Sequence, residues 1–399
     1  MASELLLYAL AGASGLIVLV HLALAVGVLV NLVRDAGYSP GCQPTVVGLR
    51  PDYSPAPPAL EVSVVVAAKD EERNLPALLA SLEAQSLRRF QIVLIDDRSA
   101  DGTAALMDAF QVKHGRRVAV VHNREEPGNL NPKQAALDIA ARLASGEVLV
   151  FTDADCVVPP QWLAGLTGYF TDPRVGIVFG QIALGAPRAG GFLARFQAFD
   201  QPLIHQWNSG TAGLGMPGSC FGNNLAARRE VLQEVGGFRG LGDTLTEDAA
   251  LVTAASKRRW RVRVCTRRST MIVTRAQGTW GEFLNQHLRW NTGAFFHQDA
   301  GTRLPYRFIV LFLSASVLAI PLCPLFPQLA MLPAASFIAV GLMGFLAGVL
   351  YRRDLAAYLL RLVPYTLFFM GFYSLATVLS MLRLTPEWKG RKLGGQAGK

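Results

Sequence analysis

Long apolar stretches occupy the two ends of the chain, and short ones fill its middle. Leu5 to Val33 is apolar apart from mild interruptions such as Ser14, His21 and Asn31, longer than the roughly 20 residues that cross a bilayer. No Lys or Arg precedes it and Arg34 follows at once. The positive-inside rule therefore predicts a membrane anchor with its N-terminus outside and the next segment in the cytosol. A cleaved signal peptide would open on basic residues and carry a shorter core. From Phe308 the chain turns apolar again, at about 308–325, 328–350 and 357–382, with Pro321, Pro324 and Pro327 at the first turn. Three C-terminal spans are expected, with Arg352 and Arg353 on the inside. The basic tail (Lys389, Arg391, Lys392) would then fall outside, against the same rule; a re-entrant hairpin in place of one span would return it to the cytosol.

In the middle, Val62 to Ala68, Gln91 to Ile95, Val118 to Val121 and Val148 to Phe151 are short runs rich in β-branched residues. Such runs read as strands buried on both faces, as in a parallel sheet. Between them, Leu75, Leu78, Leu79 and Leu82 recur at helical spacing, and Asn131-Pro132-Lys133 opens a helix to about Leu143. Strands alternating with helices predict an α/β domain with a mostly parallel sheet and right-handed crossovers. Gly190 to Trp207 is amphipathic, with Phe192, Leu193, Phe196, Phe199, Leu203 and Trp207 beside Arg188, Arg195 and Gln197. It fits a helix lying in the membrane interface or an ordinary packed surface helix. The expected division is an anchor at 1–34, a Pro- and Gly-rich linker at 35–59, a cytosolic domain with interfacial helices at 60–300, and C-terminal spans with a basic tail at 301–399.

Composition supports a membrane protein. Hydrophobic residues make up 51% of the 399 and mean hydropathy is +0.30, high for a soluble chain. The net charge of +9 suits anionic headgroups or a phosphate-bearing substrate. Nucleic acid is not an expected partner, since no nucleic-acid-binding motif or basic-aromatic repeat is present. The five cysteines are scattered without zinc spacing, as reduced cytosolic thiols are.

Candidate chemistry gathers where strands end. Val148 to Phe151 runs into Asp153-Ala154-Asp155, two carboxylates at i and i+2. At the carboxyl edge of a parallel sheet they sit where ligands bind, and such oxygens suit Mg²⁺ or Mn²⁺. The other reading is a strand-end turn, which Asp also favours. Polar clusters follow the first two strands as well: Lys69-Asp70-Glu71-Glu72, then Asp96-Asp97-Arg98-Ser99. Three in register are harder to attribute to turns alone. Thr246-Glu247-Asp248 opens a helix through Ala255 with Thr246 placed as its N-cap, and carboxylates there also favour the helix dipole. Gln286, Arg289 and Trp290 share one helical face. Arg donates bidentately to diphosphate, and Trp offers a flat wall to a sugar ring.

These stretches resemble the family 2 glycosyltransferases of GT-A fold, in particular ceramide glucosyltransferase-like and polysaccharide synthase-like membrane members, over about residues 60–295. Val64 to Glu72 resembles their first strand and Asn-Glu turn, with Lys69-Asp70 where Tyr-Asn is commoner. Val93 to Thr103 resembles their Val-Asp-Asp-Gly-Ser segment, with Arg98 where Gly is usual. Asn131-Pro132-Lys133, Thr152 to Cys156, Thr246 to Asp248 and the Gln286-x-x-Arg289-Trp290 signature follow in the family's order. The resemblance implies donor contacts at Ala68, Glu71, Asp97, Lys133, Asp153, Gln286, Arg289 and Trp290, with Asp97 on the uracil or ribose. It implies a metal on Asp155, acceptor-side positions at Cys220, Glu247 and Trp290, and Asp248 as general base, which a sugar hydroxyl or lipid alcohol requires. The expected protein is an inverting, Mg²⁺- or Mn²⁺-dependent transferase of the inner (plasma) membrane, moving a sugar from a UDP-sugar to a membrane lipid. The alternative is a processive polysaccharide synthase acting as an oligomer or with a partner. A hydride-transferring enzyme would want a Gly-rich turn after the first strand, and Lys69-Asp-Glu-Glu supplies none. A non-catalytic receptor would need neither Asp248 nor the Gln286 to Trp290 signature. The spans carry few polar residues to line a polymer channel, Ser314, Ser316, Thr366 and Ser374 among them, which favours the lipid acceptor.

Overall fold

The computed structural model describes residues 2–36, 60–185, 191–351, 355–388 and 391–392. Most of the expected linker (37–59), Arg188, the Gly190 start of the amphipathic stretch, Arg352, Arg353 and Lys389 lie outside the described residues. In chain order the elements are α1 (Ala2–Ala36), β1 (Val62–Ala68), α2 (Leu75–Glu83), β2 (Gln91–Asp97), α3 (Thr103–His114), β3 (Val118–Asn123), α4 (Pro132–Leu143), β4 (Val148–Asp153), α5 (Trp162–Thr167), β5 (Val175–Gly180) and β6 (Ile182–Leu184). Then come α6 (Phe192–Gly213), β7 (Leu225–Arg228), α7 (Arg229–Val235), α8 (Glu247–Lys257), β8 (Arg261–Cys265), β9 (Ile272–Thr274), α9 (Trp280–Phe295), α10 (Ala300–Ala319), α11 (Met331–Tyr351) and α12 (Leu355–Met381). Two compact units emerge: a sheet unit of Val30–Ala186 and Gly215–Arg275, and a helical unit of Met1–Leu29, Pro187–Leu214 and Ala276–Lys399.

The seven-stranded sheet runs in the order β3-β2-β1-β4-β7-β5-β8. β1 pairs in parallel with β2 and β4, β2 with β3, and β5 with β8, while β7 runs antiparallel between β4 and β5. The expected mostly parallel sheet is therefore present. Val64, Val65, Val66, Val93, Leu94 and Val150 have no exposed surface; each such burial contributes about 1.5–3 kcal/mol. Leu75, Leu78 and Leu82 of α2 are equally buried, and α4 lies on β1 and β2 through small residues such as Ala136 and Ala140. Register then sets the edge. Ala68 stands opposite Asp96, Asp97 opposite Asn123, and Ala67 opposite Asp153, so the polar residues that end the strands emerge together.

Four helices are long and apolar enough to cross a bilayer: Glu4–Ala36, Ala300–Leu322, Pro327–Tyr351 and Leu355–Met381. Three hydroxyls on the C-terminal helices bond back to their own backbones: Ser314 to Val310 O, Ser316 to Phe312 O and Ser374 to Met370 O, at 2.7–2.8 Å. Where α1 meets α6, the two backbones touch. A Cβ on Gly27 would lie 2.1 Å from Gly210 O, and one on Gly213 would lie 1.9 Å from Gly27 O. Only glycine allows that crossing, the small-residue packing that joins helices in lipid. α6 is exposed at its start, at Phe192 and Arg195, and from Phe196 on it is mostly buried, polar Gln197, Asp200 and Gln206 included. Partners inside the unit make this possible. Gln197 exchanges two hydrogen bonds with the Gln277 backbone at 2.8 and 3.0 Å, and Asp200 meets His287. Of the polar positions expected beside its apolar residues, Gln197 is buried and Arg195 is exposed.

Candidate active site

The sheet unit assembles its site from the strand ends and the start of α8. Asn131 caps α4, its Oδ1 accepting from Lys133 N at 3.0 Å, and its Nδ2 donates to Thr244 O at 3.3 Å. Gln134 donates to Gly242 O at 2.6 Å and to Phe238 O at 2.7 Å. These bonds tie the loop before α8 to the start of α4. As a result Lys133 Nζ stands 2.7 Å from Asp153 Oδ1 and 3.6 Å from Glu247 Oε1. One ammonium thus joins the carboxylate at the end of β4 to the carboxylate that opens α8.

Asp155 accepts a hydrogen bond from Thr274 Oγ1 at 3.2 Å. The contact follows from Val157 exchanging backbone bonds with Val273 at 2.7 and 2.9 Å, which lays the turn after β4 alongside β9. Burial, then the charges of Asp153 and Glu71, pushes the Asp155 carboxyl up to about 6, while the Thr274 hydroxyl and the Lys133 ammonium pull it down. A desolvated carboxylate crowded by like charge is relieved by a hard dication. Among the described residues, no group of three or more His, Cys, Asp or Glu side chains forms a metal cage. Asp153 and Asp155 supply the one or two carboxylates that Mg²⁺ or Mn²⁺ take from a protein when substrate phosphates complete the shell.

Asp248 is held by two backbone donors, with Oδ2 accepting from Gly222 N at 2.8 Å and Oδ1 from Ala249 N at 2.8 Å. A Cβ on Gly222 would come within 3.0 Å of that carboxyl. Thr246 stands at the N-cap position but does not cap: its buried hydroxyl makes no hydrogen bond. Glu247 Oε2 is likewise buried without a partner, so two oxygens beside Asp248 have capacity to spare. Burial, then Asp248 and Glu247, pushes the Cys220 thiol well up, which makes it a packing residue and not a nucleophile.

The base-side residues carry the chain's own substitutions. Asp97 accepts from Asn123 Nδ2 at 2.8 Å and from both arms of Arg98, at 3.1 and 2.9 Å. Arg98 also reaches Glu126 at 3.0 Å. Its φ is +60°, and Asp70 has φ +53°, the left-handed region that favours Gly, Asn and Asp. This explains why Gly is usual at position 98. Glu71 accepts from Asn74 Nδ2 at 2.6 Å and its N–H donates to Thr103, while Ala68 is buried at the end of β1.

The structure thus brings Lys133, Asp153, Asp155, Glu247 and Asp248 together, with Ala68, Glu71 and Asp97 along the same sheet edge. Gln286, Arg289 and Trp290 belong to the helical unit, half-buried on α9. Nothing in the sequence marks Thr274, a lone residue ending a three-residue strand. Nor does it mark Asn224, whose buried amide accepts from Trp162 Nε1 at 2.9 Å and donates to Gln181 O at 2.7 Å.

A mostly parallel sheet with this carboxylate edge, together with four helices long enough to cross a membrane, matches the GT-A glycosyltransferase architecture. The model of glycosyl transferase family 21 matches residues 21–396, and the chain belongs to that family. The resemblance to ceramide glucosyltransferase-like members is borne out, under that family number in place of family 2. The chain is 26% identical over 242 residues to a beta-monoglucosyldiacylglycerol synthase of Synechocystis, covering 60% of this chain and 48% of that one. It therefore spans about half the length of the cyanobacterial relatives it matches. It is 34% identical over 117 residues to an undecaprenyl-phosphate 4-deoxy-4-formamido-L-arabinose transferase of Aeromonas hydrophila, covering 27% and 34% of the two. The solved mannosyltransferase PcManGT of Pyrobaculum calidifontis, in complex with GDP-Man and Mn²⁺, shares the fold at TM-score 0.53 and 20% identity, over 94% of this chain and 99% of that one.

Proposed function

We propose that the protein transfers a sugar, with inversion, from a UDP-sugar to the headgroup alcohol of a membrane lipid at the cytosolic face. The observation that carries this reading is the Lys133 bridge, which joins the donor-side Asp153 to Glu247 beside the proposed base. Asp248, oriented by Gly222 and Ala249, takes the proton of the acceptor hydroxyl. That oxygen bonds to the anomeric carbon as the carbon–oxygen bond to the diphosphate breaks, and UDP leaves from the opposite side. Lys133 holds the donor through its charge. Arg289 supplies a two-armed donor to the diphosphate and Trp290 a wall for the sugar. Mg²⁺ or Mn²⁺ held at Asp155 would neutralise the charge that develops on the departing diphosphate.

Two observations support a lipid acceptor. The relatives named above glycosylate diacylglycerol and undecaprenyl phosphate. On the C-terminal helices, Ser314, Ser316 and Ser374 donate their hydroxyls to their own backbones and only Thr366 among the four span residues named keeps an unpartnered one, few groups to solvate a polysaccharide in hydrocarbon, where each unmet polar group costs several kcal/mol. The test incubates purified full-length protein with UDP- and GDP-sugars, Mn²⁺ and extracted membrane lipids, following nucleotide release and products by mass spectrometry. UDP release with a glycolipid product is expected. A ladder of lipid-free oligosaccharides would overturn the acceptor assignment, and turnover with GDP-sugars alone would overturn the donor assignment.

A further inference from the structure

We infer that Asp200 and His287 form a buried positioning pair that sets the rotation of α9, and with it the presentation of Arg289 and Trp290. His287 lies inside the Gln286 to Trp290 signature, at a position where the signature itself requires no particular residue. Its ring is 1% exposed and the Asp200 side chain 0%. Nε2 stands 2.8 Å from Asp200 Oδ2, and Nδ1 stands 2.9 Å from Phe283 O. A carbonyl oxygen only accepts, so Nδ1 carries a proton, and a second proton is shared between Nε2 and the carboxylate. Aromatic rings surround the imidazole: Phe283 at 4.1 Å, Trp290 at 5.0 Å, Phe372 at 5.2 Å and Tyr373 at 5.5 Å between centroids.

Stability alone does not account for such a pair. Replacing a buried ion pair with apolar residues is often neutral or stabilising, whereas a unique geometry is what such pairs best supply. Here three helices meet at one bond: α6 through Asp200, α9 through His287, and α12 through Phe372 and Tyr373. One turn further along, Asn291 donates to Ser380 Oγ of α12 at 3.0 Å and accepts from Tyr306 of α10. The buried edge Phe283-His287-Asn291 is therefore pinned at two points. Arg289 and Trp290 lie off that edge, half-buried, so their direction is set by it. Asp200 and His287 act through them and are positioning residues, not catalytic ones.

The inference rests on the proposed role of Arg289 and Trp290, so its test separates the two. In purified full-length protein, kcat is measured for Asp200→Asn, Arg289→Lys and the double variant, with Gly213→Ala as a helical-unit variant remote from α9. Asp200→Asn should cost about tenfold, and the double variant should lose little more than the worse single one, because both changes remove the same presentation. Gly213→Ala with Arg289→Lys should instead multiply. Effects of Asp200→Asn and Arg289→Lys that simply multiply would overturn the inference. Independently of activity, the fluorescence attributable to Trp290 (each protein minus its Trp290→Phe version) should shift in Asp200→Asn. An unchanged difference spectrum would overturn the inference even if the enzyme proves inactive on every sugar nucleotide. Inactivity accompanied by a shifted spectrum would instead overturn only the proposed function. Should Asp200→Asn fail to fold, His287→Gln, which keeps an amide donor for Phe283 O, serves in both assays.

Discussion

The two units place their buried charges differently. In the sheet unit, carboxylates converge on an edge with spare capacity: Asp155 is crowded by Asp153 and Glu71, and Glu247 Oε2 and Thr246 Oγ1 have no partner. In the helical unit, Ser316 bonds Ser336 at 2.8 Å, Asn291 bonds Ser380, and Asp200 bonds His287. Asp200, the carboxylate buried there, meets a histidine, although other buried atoms of this unit lack a partner, Gln201 Oε1, Gln206 Oε1 and Thr366 Oγ1 among them. An edge that leaves charge unmet is built to receive a ligand. A helical unit that pairs its charges is built to hold a geometry. Changes at the edge should therefore act on turnover, and changes in the helical unit should act on stability or on presentation.

The largest expected effect tests the edge itself. Asp155→Asn should abolish turnover, and chelation with EDTA should do so reversibly, while the thermal unfolding of the chain barely moves. Full activity in metal-free buffer would remove the metal from the mechanism. Next comes Asp248→Asn, expected to slow turnover by on the order of 10²–10⁴-fold with UDP binding nearly intact by calorimetry. If UDP binding is lost instead, Asp248 belongs to the donor side. Arg289→Lys keeps the charge and loses the fork, so it should cost about tenfold in kcat/KM, in keeping with a lost charge-assisted bond of roughly 1.5 kcal/mol. A silent substitution would leave Arg289 an anchoring role only.

The helical unit yields a stability prediction. A Cβ at Gly213 would fall 1.9 Å from the Gly27 carbonyl oxygen, so Gly213→Ala should force α1 and α6 apart at about 1–3 kcal/mol, the usual range for overpacking. Gly341→Ala is the control: a Cβ there meets no atom within 4 Å, and alanine in a helix gains about 0.5–1 kcal/mol over glycine. Thermal unfolding in detergent should order the proteins Gly341→Ala, wild type, Gly213→Ala. Equal midpoints would mean that the close crossing does not stabilise the unit.

The same contrast explains what could be read from the sequence. β1, β2, β3 and β4 were legible because β-branched runs fill strands buried on both faces, and the site's carboxylates were legible because each ends such a run. Thr274 reaches Asp155 only through the pairing of Val157 with Val273, a contact between distant residues with no local pattern. The burial of polar residues on α6 was not legible for a related reason. Its apolar positions have helical spacing, but Gln197, Asp200 and Gln206 are buried with partners from the loop before α9, from α9 itself and from the helix's own backbone. Hydropathy cannot foresee a polar group that is satisfied inside. The cap expected of Thr246 failed similarly: Asp248 meets the backbone of its own helix and of Gly222, leaving the Thr246 hydroxyl idle.

The smallest effect is expected where the sheet edge departs from its own rule, at Asp97. This buried carboxylate is not left with capacity: Arg98 takes both oxygens and Asn123 one of them. Arg98→Gly should relieve the left-handed strain of φ +60°, worth about 1–2 kcal/mol in an L-residue. It also removes a largely buried, two-bond ion pair, with Arg98 18% and Asp97 3% exposed, and leaves the carboxylate with Asn123 alone, so thermal stability should fall. The freed oxygens could then accept from the base or ribose of the donor, and one such bond is worth about 0.5–1.5 kcal/mol. KM for the UDP-sugar should accordingly fall by about two- to tenfold, with kcat nearly constant. A rise in KM would show that the Arg98 guanidinium itself contacts the nucleotide. In that case the edge keeps its capacity as a donor at this point and as an acceptor everywhere else.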